Sequence, residues 1–377
     1  MKYKLFCPGF AQINADQKTE SSFTAESAGN AERYEGEEFD KGSPSVFSAY
    51  SAISAVDASL MDVFHKLDDV PAGFGPTLVS VGNFDGVHRA HAHVLREIVS
   101  RARTSRAKAV AVTFEPHPAR ILRPESGLKL LTPMAEKLRL LADTGTDAVL
   151  ILPFGRDLSL MTPRQFAERI LKKKLHAREV HEGHNFRFGH KAAGDTNLLI
   201  EFGKEMGFEV EVYPVMTLRG ERVSSSQIRK LLTEGCVSRA RHLLARPFSI
   251  LGTPGRGRGY GSKYTVPTIN LARYEELVPK DGVYITRTRV GAERFDSVTN
   301  VGNRPTFGAE LFAIETHLLN FRPLELTPET EVEICFLERL RDEVRFPSVE
   351  ALREQIARDV KKARRYFHLL GRAKTAR

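Results

Sequence analysis

Residues 78–93 read Leu-Val-Ser-Val-Gly-Asn-Phe-Asp-Gly-Val-His-Arg-Ala-His-Ala-His, and the predicted elements of the first half of the chain are arranged around them. Its Val-rich start predicts a buried strand. The strand breaks at Gly82 and Gly86, and the apolar side of residues 94–99 predicts an amphipathic helix. A strand, a Gly-containing turn and a helix direct backbone N–H groups and a positive helix end at a phosphate.

Two histidines stand at the start of the predicted helix. His88 and His91 are three residues apart, so they share one helix face. Imidazoles at a helix N-terminus can donate hydrogen bonds to charge that develops on phosphoryl oxygens. The spacing is equally compatible with one loop histidine and one helix-surface histidine.

Length and composition limit the class of protein. A chain of 377 residues predicts two or three domains, and 41% hydrophobic and 27% charged residues are typical of a globular protein. No apolar run is long enough for a membrane span or a secretory signal. Three distant cysteines, Cys7, Cys236 and Cys335, fit neither a disulfide framework nor a zinc site. We therefore expect a cytoplasmic protein without a membrane partner.

The net charge of +9 is unevenly distributed. Residues 1–60 are acidic and carry no sustained periodicity, so we expect a disordered or non-native N-terminal extension, with folding from Met61. The basic remainder suits nucleic acid, a membrane surface or anionic small molecules.

Strand and helix patterns alternate through residues 61–245. The strands are expected at Ala107–Phe114, Asp147–Phe154, Glu179–Glu182 and Phe208–Tyr213, and the helices at Ala135–Ala142, after the Thr162-Pro-Arg-Gln165 capping box, and at Asn197–Met206. This alternation predicts a parallel doubly wound sheet with its ligands at the carboxyl ends of the strands. Three loops are then expected at the ligand site, because they follow the carboxyl ends of strands: residues 82–91, 115–118 and 183–195.

Two further segments could bind anions. The loop 183–195 has glycines, aromatics that could stack on a ring, and Arg187, His190 and Lys191 for phosphate; the alternative is a surface hairpin. The serines of residues 223–232 predict a helix cap, and Arg229 one turn later adds a second anion site.

Residues 246–377 have a different pattern. A Gly-rich run at 252–261, with Arg256 and Arg258, is typical of a linker or of a flap over phosphates. Alternating strands at Gly282–Val290, Arg294–Asn300, Phe312–Phe321 and Glu331–Leu337 predict a small antiparallel barrel. An amphipathic helix from Ser348 to about Leu370 follows, with Leu352, Ile356, Val360 and Phe367 on one side.

Several motifs occur in the order found in the bacterial bifunctional riboflavin kinase/FMN adenylyltransferases, also called FAD synthetases, which this chain resembles from about residue 61 onward. They are Gly82-Asn-Phe-Asp-Gly-Val-His-Arg-Ala-His91, Phe114-Glu-Pro-His-Pro118, Asn185-Phe-Arg-Phe-Gly189, Ser224-Ser-Ser-Gln-Ile-Arg229, Pro267-Thr-Ile-Asn270, Asn300-Val-Gly-Asn-Arg-Pro-Thr-Phe307 and Ile314-Glu-Thr-His-Leu-Leu319. The resemblance implies an α/β doubly wound, Rossmann-like nucleotidyltransferase domain of the HxGH type. A small antiparallel β-barrel riboflavin kinase domain with a C-terminal helix would follow it.

The resemblance also implies roles for residues in the first domain. His88 and His91 would be catalytic and contact the ATP phosphates and the transition state. Other residues would bind ATP or FMN: Gly82, Phe84, Asp85, His117, Asn185, Ser224, Ser225 and Arg229. The Ser224–Arg229 segment would hold the departing pyrophosphate.

In the second domain, the resemblance implies that Thr268 and Asn270 hold Mg²⁺ against ATP and that Glu315 is the base for the riboflavin 5′-hydroxyl. Gly261, Lys263, Asn303 and Arg304 would bind ATP or flavin. The expected substrates are riboflavin, FMN and ATP, with FMN and FAD as products. On an alternating strand, Glu315 could otherwise be a solvated surface residue.

Two departures from the family pattern leave alternatives open. Position 90 is Ala where the family has Gly, which is harmless in a helix but costs about 1 kcal/mol or more if φ is positive. A monofunctional riboflavin kinase with an impaired adenylyltransferase domain is therefore an alternative. Tyr264-Thr-Val precedes Pro267 in place of the family's Leu-Gly-Phe. A nucleic-acid binder is a further alternative, disfavoured because the chain has no aromatic-interleaved basic run. The sequence does not predict the oligomeric state.

Overall fold

The computed structural model describes residues 61–255, 268–272, 274–306, 309–321 and 326–375. The predicted extension at residues 1–60 lies outside these residues, as do Gly261, Lys263 and the Tyr264-Thr-Val sequence. In the described part of the chain, no helix combines the length and the apolar character that crossing a membrane requires.

Six strands form the first sheet, and every pairing in it is parallel. They are β1 Asp62–Phe64, β2 Thr77–Val81, β3 Lys108–Glu115, β4 Ala148–Pro153, β5 Ala177–Gly183 and β6 Glu209–Tyr213. Their order is β1-β4-β3-β2-β5-β6, so the chain runs from β2 through β3 to β4, beside the edge strand β1, and then returns to the other side of β2. The predicted doubly wound sheet is confirmed.

The predicted helices of this half are present, together with others for which no bounds were predicted. They are α1 Arg89–Ser105, α2 Pro118–Leu122, α3 Met134–Ala142, α4 Arg156–Leu160, α5 Pro163–Phe166, α6 Thr196–Met206, α7 Ser225–Thr233 and α8 Val237–Leu244. The predicted capping box is present, because Thr162 Oγ1 accepts from the N–H of Gln165 and the Gln165 side chain accepts from the N–H of Thr162. After α5 the chain continues as a π-helix, Ala167–Lys174, which the sequence pattern does not predict. A two-stranded ribbon, β7 Thr217–Leu218 and β8 Glu221–Arg222, precedes α7.

The core of this half lies on the sheet. Val79, Val110, Val112 and Leu150 are fully buried in adjacent strands. The central strands carry continuous apolar runs because both of their faces are covered. The buried side of α1, from Ala92 to Ala102, packs on the sheet through Leu95 and Ile98.

The second sheet has six antiparallel strands in the order β10-β13-β12-β11-β14-β9. They are β9 Phe248–Gly252, β10 Thr268–Asn270, β11 Gly282–Val290, β12 Glu293–Thr306, β13 Ala309–Leu318 and β14 Val332–Arg341. Its two edges meet at a bridge between Pro254 and Leu271. There the Gly255 N–H donates to the Asn270 carbonyl at 2.8 Å. The predicted small antiparallel barrel is confirmed, although β12 and β13 both reach further into their connecting turn than expected.

Polar side chains fill part of this sheet's buried face. Five hydroxyls form a closed ring of hydrogen bonds 2.7–3.1 Å long, and all five residues are fully buried: Thr286, Thr288, Ser297, Thr299 and Thr316. A hydroxyl donates one hydrogen bond and accepts others, so a ring allows every member to be paired.

The last helix, α9 Val349–Thr375, covers the other face of this sheet. Ala363 is buried there, with Val360 and Phe367 packed beside it. Leu352 and Ile356 lie on the predicted apolar side of the helix but are 39% and 38% exposed, so that side is only partly covered. The helix residues in the apolar cluster run only from Val360 to Phe367, and the first turns of α9 contribute none.

Candidate functional site

The two predicted histidines lie together at the N-terminus of α1. His88 is the N-cap residue, and its ring stacks on that of His91 with centroids 3.6 Å apart and an interplanar angle of 15°. The ring of Phe84 meets His91 edge-on at 5.2 Å. The turn between β2 and α1 requires Gly86, because its φ is +83° and an added Cβ would lie 2.8 Å from Leu131.

Burial keeps these imidazoles neutral. It lowers the pKa of His88 to about 4, and it lowers the pKa of His91 well below its ordinary value, with the neighbouring His88 acting in the same direction. His88 Nδ1 accepts from the N–H of His91 at 3.4 Å, so in the neutral ring the proton is on Nε2. Nδ1 of His91 is buried without a hydrogen-bond partner in the described part of the chain. The pair can therefore offer neutral N–H donors to a ligand.

His117 has a similar environment at the carboxyl end of β3. It caps α2, and its Nδ1 accepts from the N–H of Ala119 at 3.1 Å. Burial lowers its pKa to about 4 as well. The bond at Nδ1 again assigns the proton to Nε2.

The carboxylate of Asp85 joins three segments. It is 1% exposed and accepts from the N–H of Leu131 at 3.0 Å and from the N–H of Thr132 at 3.1 Å. It also pairs with the guanidinium of Arg229 on α7. The hydroxyl of Ser225 donates to the Asp85 carbonyl at 2.8 Å. Asp85 and Arg229, both predicted to bind ligand, thus bind each other.

The predicted cap of α7 is present. Ser224 is the N-cap residue and its Oγ accepts from the N–H of Gln227. Ser224, Ser225 and Arg229 are all partly exposed, so the start of α7 lies beside Asp85 and remains open to solvent. This arrangement is able to receive an anion.

The order of strands along the chain reverses between β2 and β5. The two strands pair only as far as Val79 and Val180, and beyond that point the buried carboxyl of Glu182 accepts from the N–H of Val81 at 2.6 Å. Burial raises the pKa of Glu182 well above its ordinary value. Open α/β sheets bind ligands at such a switch point. Asn185 is exposed in the loop that follows β5. Gly82 follows β2, so both residues lie at the carboxyl ends of the parallel strands.

Two cations near the histidines, one buried and one partly buried, are not predicted from the sequence. Lys137 on α3 is 1% exposed, and burial lowers its pKa against the opposing charges of Asp85 and Glu115. Burial lowers the pKa of Arg246 to about 10, and Nη1 of Arg246 donates to the Val87 carbonyl at 3.4 Å. Helix periodicity gives Lys137 no distinguishing signal, because its contacts come from segments distant in sequence.

Ala90 lies within the first turn of α1 and is not among the residues with positive φ. Its methyl group therefore imposes no backbone strain. This is the harmless case of the two that the sequence leaves open.

The predicted kinase residues lie on neighbouring strands of the second sheet. Asn270 on β10 is opposite Glu315 on β13, and Thr268 is two residues away on the same face. The intervening Ile269 is buried, as is its partner Thr316, so the other face carries the polar residues. A hydroxyl, an amide and a carboxylate within one patch offer the oxygen ligands that Mg²⁺ prefers. On the neighbouring strand β12, Asn303 and Arg304 follow Asn300, which is the residue paired with Glu315.

The lowered pKa of His117 predicts a pH dependence of stability. Its unfolded form takes up a proton between pH 6.5 and about 4 while the folded form does not, so the free energy of unfolding falls as pH falls through this window. In His117→Asn, the Asn side chain can still accept from Ala119, and the decrease between pH 6.5 and 5 should be smaller by about 1.5 kcal/mol. Urea denaturation at each pH measures this. Parallel pH profiles for the two proteins would contradict the assignment.

Both halves of the chain are similar to known proteins. A family model described as FAD synthetase matches residues 72–227, and one described as riboflavin kinase matches residues 244–367. The bifunctional riboflavin kinase/FMN adenylyltransferase of Escherichia coli (strain K12) is 33% identical over 306 residues, which cover 81% of this chain and 96% of that protein. The protein of the same name from Pseudomonas fluorescens is 34% identical over 76% of this chain and 92% of its own length.

A solved structure shares the fold. The macrolide-efflux protein from Streptococcus pneumoniae aligns with a TM-score of 0.73 and 25% identity, over 81% of this chain and 99% of that one. The predicted family is confirmed by the two family models and the curated relatives together. The chain belongs to the bifunctional riboflavin kinase/FMN adenylyltransferase family and is an enzyme of flavin biosynthesis, with an FAD synthetase domain followed by a riboflavin kinase domain.

Proposed function

We propose that residues 61–245 transfer the adenylyl group of ATP to FMN and that residues 246–377 transfer the γ-phosphoryl group of ATP to riboflavin. The products are FAD with pyrophosphate in the first domain, and FMN with ADP in the second. Because both reactions consume ATP, we place the enzyme in the cytoplasm. The observation that supports adenylyl transfer by the first domain is the stacked, neutral His88–His91 pair at the start of α1.

In the adenylyl transfer, a phosphate oxygen of FMN attacks the α-phosphorus of ATP, and the bond to the pyrophosphate oxygen breaks. The Nε2–H of His88 and the free N–H groups at the start of α1 donate to the phosphate oxygens as charge develops. Neutral donors suit this position because they keep their proton throughout the working pH range.

The start of α7 receives the pyrophosphate in this proposal. Arg229 donates through Nε to the Lys129 carbonyl and through one terminal nitrogen to Asp85. A guanidinium has five N–H donors, so the remaining ones can reach a phosphate. Ser224 and Ser225 add hydroxyls at the same helix end. Gly82, Phe84, His117 and Asn185 line the ATP and FMN positions along the sheet edge.

In the phosphoryl transfer, the oxygen of the riboflavin 5′-hydroxyl bonds to the γ-phosphorus of ATP, and the bond between that phosphorus and ADP breaks. Glu315 accepts the proton of the hydroxyl. Thr268 and Asn270 would hold Mg²⁺, which neutralises the phosphate charge when bound. Gly261, Lys263, Asn303 and Arg304 complete the ATP and flavin contacts in this proposal.

Separate substitutions should remove separate reactions. Glu315→Gln should lower FMN formation from riboflavin by about 100-fold or more, because a neutral amide cannot take the proton. FAD formation from supplied FMN should stay unchanged. His91→Ala should lower FAD formation from supplied FMN and leave FMN formation from riboflavin unchanged. Chromatographic separation of flavins after incubation with ATP and Mg²⁺ measures both, and a wild-type chain that makes neither FMN nor FAD would overturn the proposal.

Restoring glycine at position 90 tests the alternative of an impaired adenylyltransferase. Because Ala90 is helical, Ala90→Gly should leave the rate of FAD formation within about twofold and lower the free energy of unfolding by up to about 1 kcal/mol. Steady-state kinetics and urea denaturation measure the two effects. A large gain in FAD formation would instead favour a monofunctional kinase.

A further inference from the structure

A segment of the second domain crosses onto the first. Residues 274–280, here called the strap, connect β10 to β11 and so follow directly after Thr268 and Asn270. The N–H of Leu277 donates to the Leu130 carbonyl at 3.1 Å, and the N–H of Lys280 donates to the Leu232 carbonyl at 2.9 Å. The strap therefore binds the first domain through its backbone.

One strap side chain makes a polar contact of its own with the first domain. The carboxylate of Glu276 pairs with the guanidinium of Arg120 on α2 and accepts from the N–H of Leu130 at 2.8 Å. The side chain of Glu276 is only 16% exposed. Arg120 in turn donates to the Leu128 carbonyl. Glu276 thus fixes both α2 and the stretch that follows it.

Two carboxylates, one from each domain, bind successive backbone N–H groups of residues 130–132. The consecutive N–H groups of Leu130, Leu131 and Thr132 donate to Glu276, Asp85 and Asp85 respectively. The carbonyl just before them, that of Lys129, accepts from Arg229 Nε at 3.0 Å. Arg229 is therefore held on one side by Asp85 and on the other by a backbone whose next residue is bound to Glu276.

We propose that Glu276 of the strap is a positioning residue for the adenylyltransferase site, acting through residues 129–132 on Arg229. The inference rests on the proposed function, in which Arg229 binds the pyrophosphate. Removal of the Glu276 carboxylate leaves the Leu130 N–H unpaired and frees the Lys129 carbonyl to move. An arginine held in fewer directions binds a phosphate less well, since more side-chain freedom must be lost on binding.

The test measures both reactions in the full chain. Glu276→Ala should lower kcat/KM for FAD formation about tenfold, the equivalent of one lost hydrogen bond to a charged group. In the reverse reaction, the KM for inorganic pyrophosphate should rise while the KM for FAD stays constant. FMN formation from riboflavin should stay within twofold, although Glu276 belongs to the kinase domain. Glu276→Gln, which retains an acceptor for Leu130, should restore part of the pyrophosphate affinity.

Glu275→Ala is the matched control, because it removes one carboxylate from the adjacent, exposed strap position. It should leave the KM for pyrophosphate unchanged. Arg229→Met should raise that KM directly. If Arg229→Met raises it and Glu276→Ala does not, or if Glu276→Ala lowers both activities equally, the positioning role is wrong. If neither substitution affects it, the proposed pyrophosphate site itself fails.

Discussion

The carboxylate of Asp85 is buried between segments that are far apart in sequence, and the arrangement of the first domain's site depends on its pairing. A buried carboxylate is costly unless it is both hydrogen-bonded and paired with a cation. Asp85 has two backbone N–H donors and the Arg229 guanidinium. The turn after β2, the stretch before α3 and the start of α7 are joined at this one group. The histidine turn and the serine cap consequently lie beside each other.

The same burial determines the chemistry available there. In a site shielded from water, hydrogen-bond donors act more strongly on developing charge than they do in solvent. Burial also keeps His88, His91 and His117 neutral. The positive charge near the histidines therefore comes from Lys137, Arg229 and Arg246. In this domain the neutral donors at the start of α1 are thus separate residues from the cations. The kinase domain has instead an oxygen-rich face of Thr268, Asn270 and Glu315.

Local patterns were enough to predict the features that local contacts create. The buried strand before His88, the cap at Ser224, the capping box at Thr162 and the alternating strands of the barrel all follow from residues close in sequence. The pairing of Asp85 with Arg229, the burial of Lys137 and the contact of Glu276 with Leu130 join residues that are distant in sequence. The hydroxyl ring around Thr299 has no signal either, because alternating threonines are equally typical of an exposed sheet face. The exposure of Leu352 and Ile356 shows the limit of periodicity, which predicts an apolar side but not how much of it is covered.

We propose that two separate places in this molecule each bind one ATP, one at His88 and His91 and the other at Thr268 and Asn270. A crystal structure of the chain with Mg²⁺ and a non-hydrolysable ATP analogue tests this proposal. We expect two nucleotides per chain, one with its phosphates at the N-terminus of α1 and one with its phosphates and metal at β10. Crystals in which both places remain empty at saturating nucleotide would contradict the account.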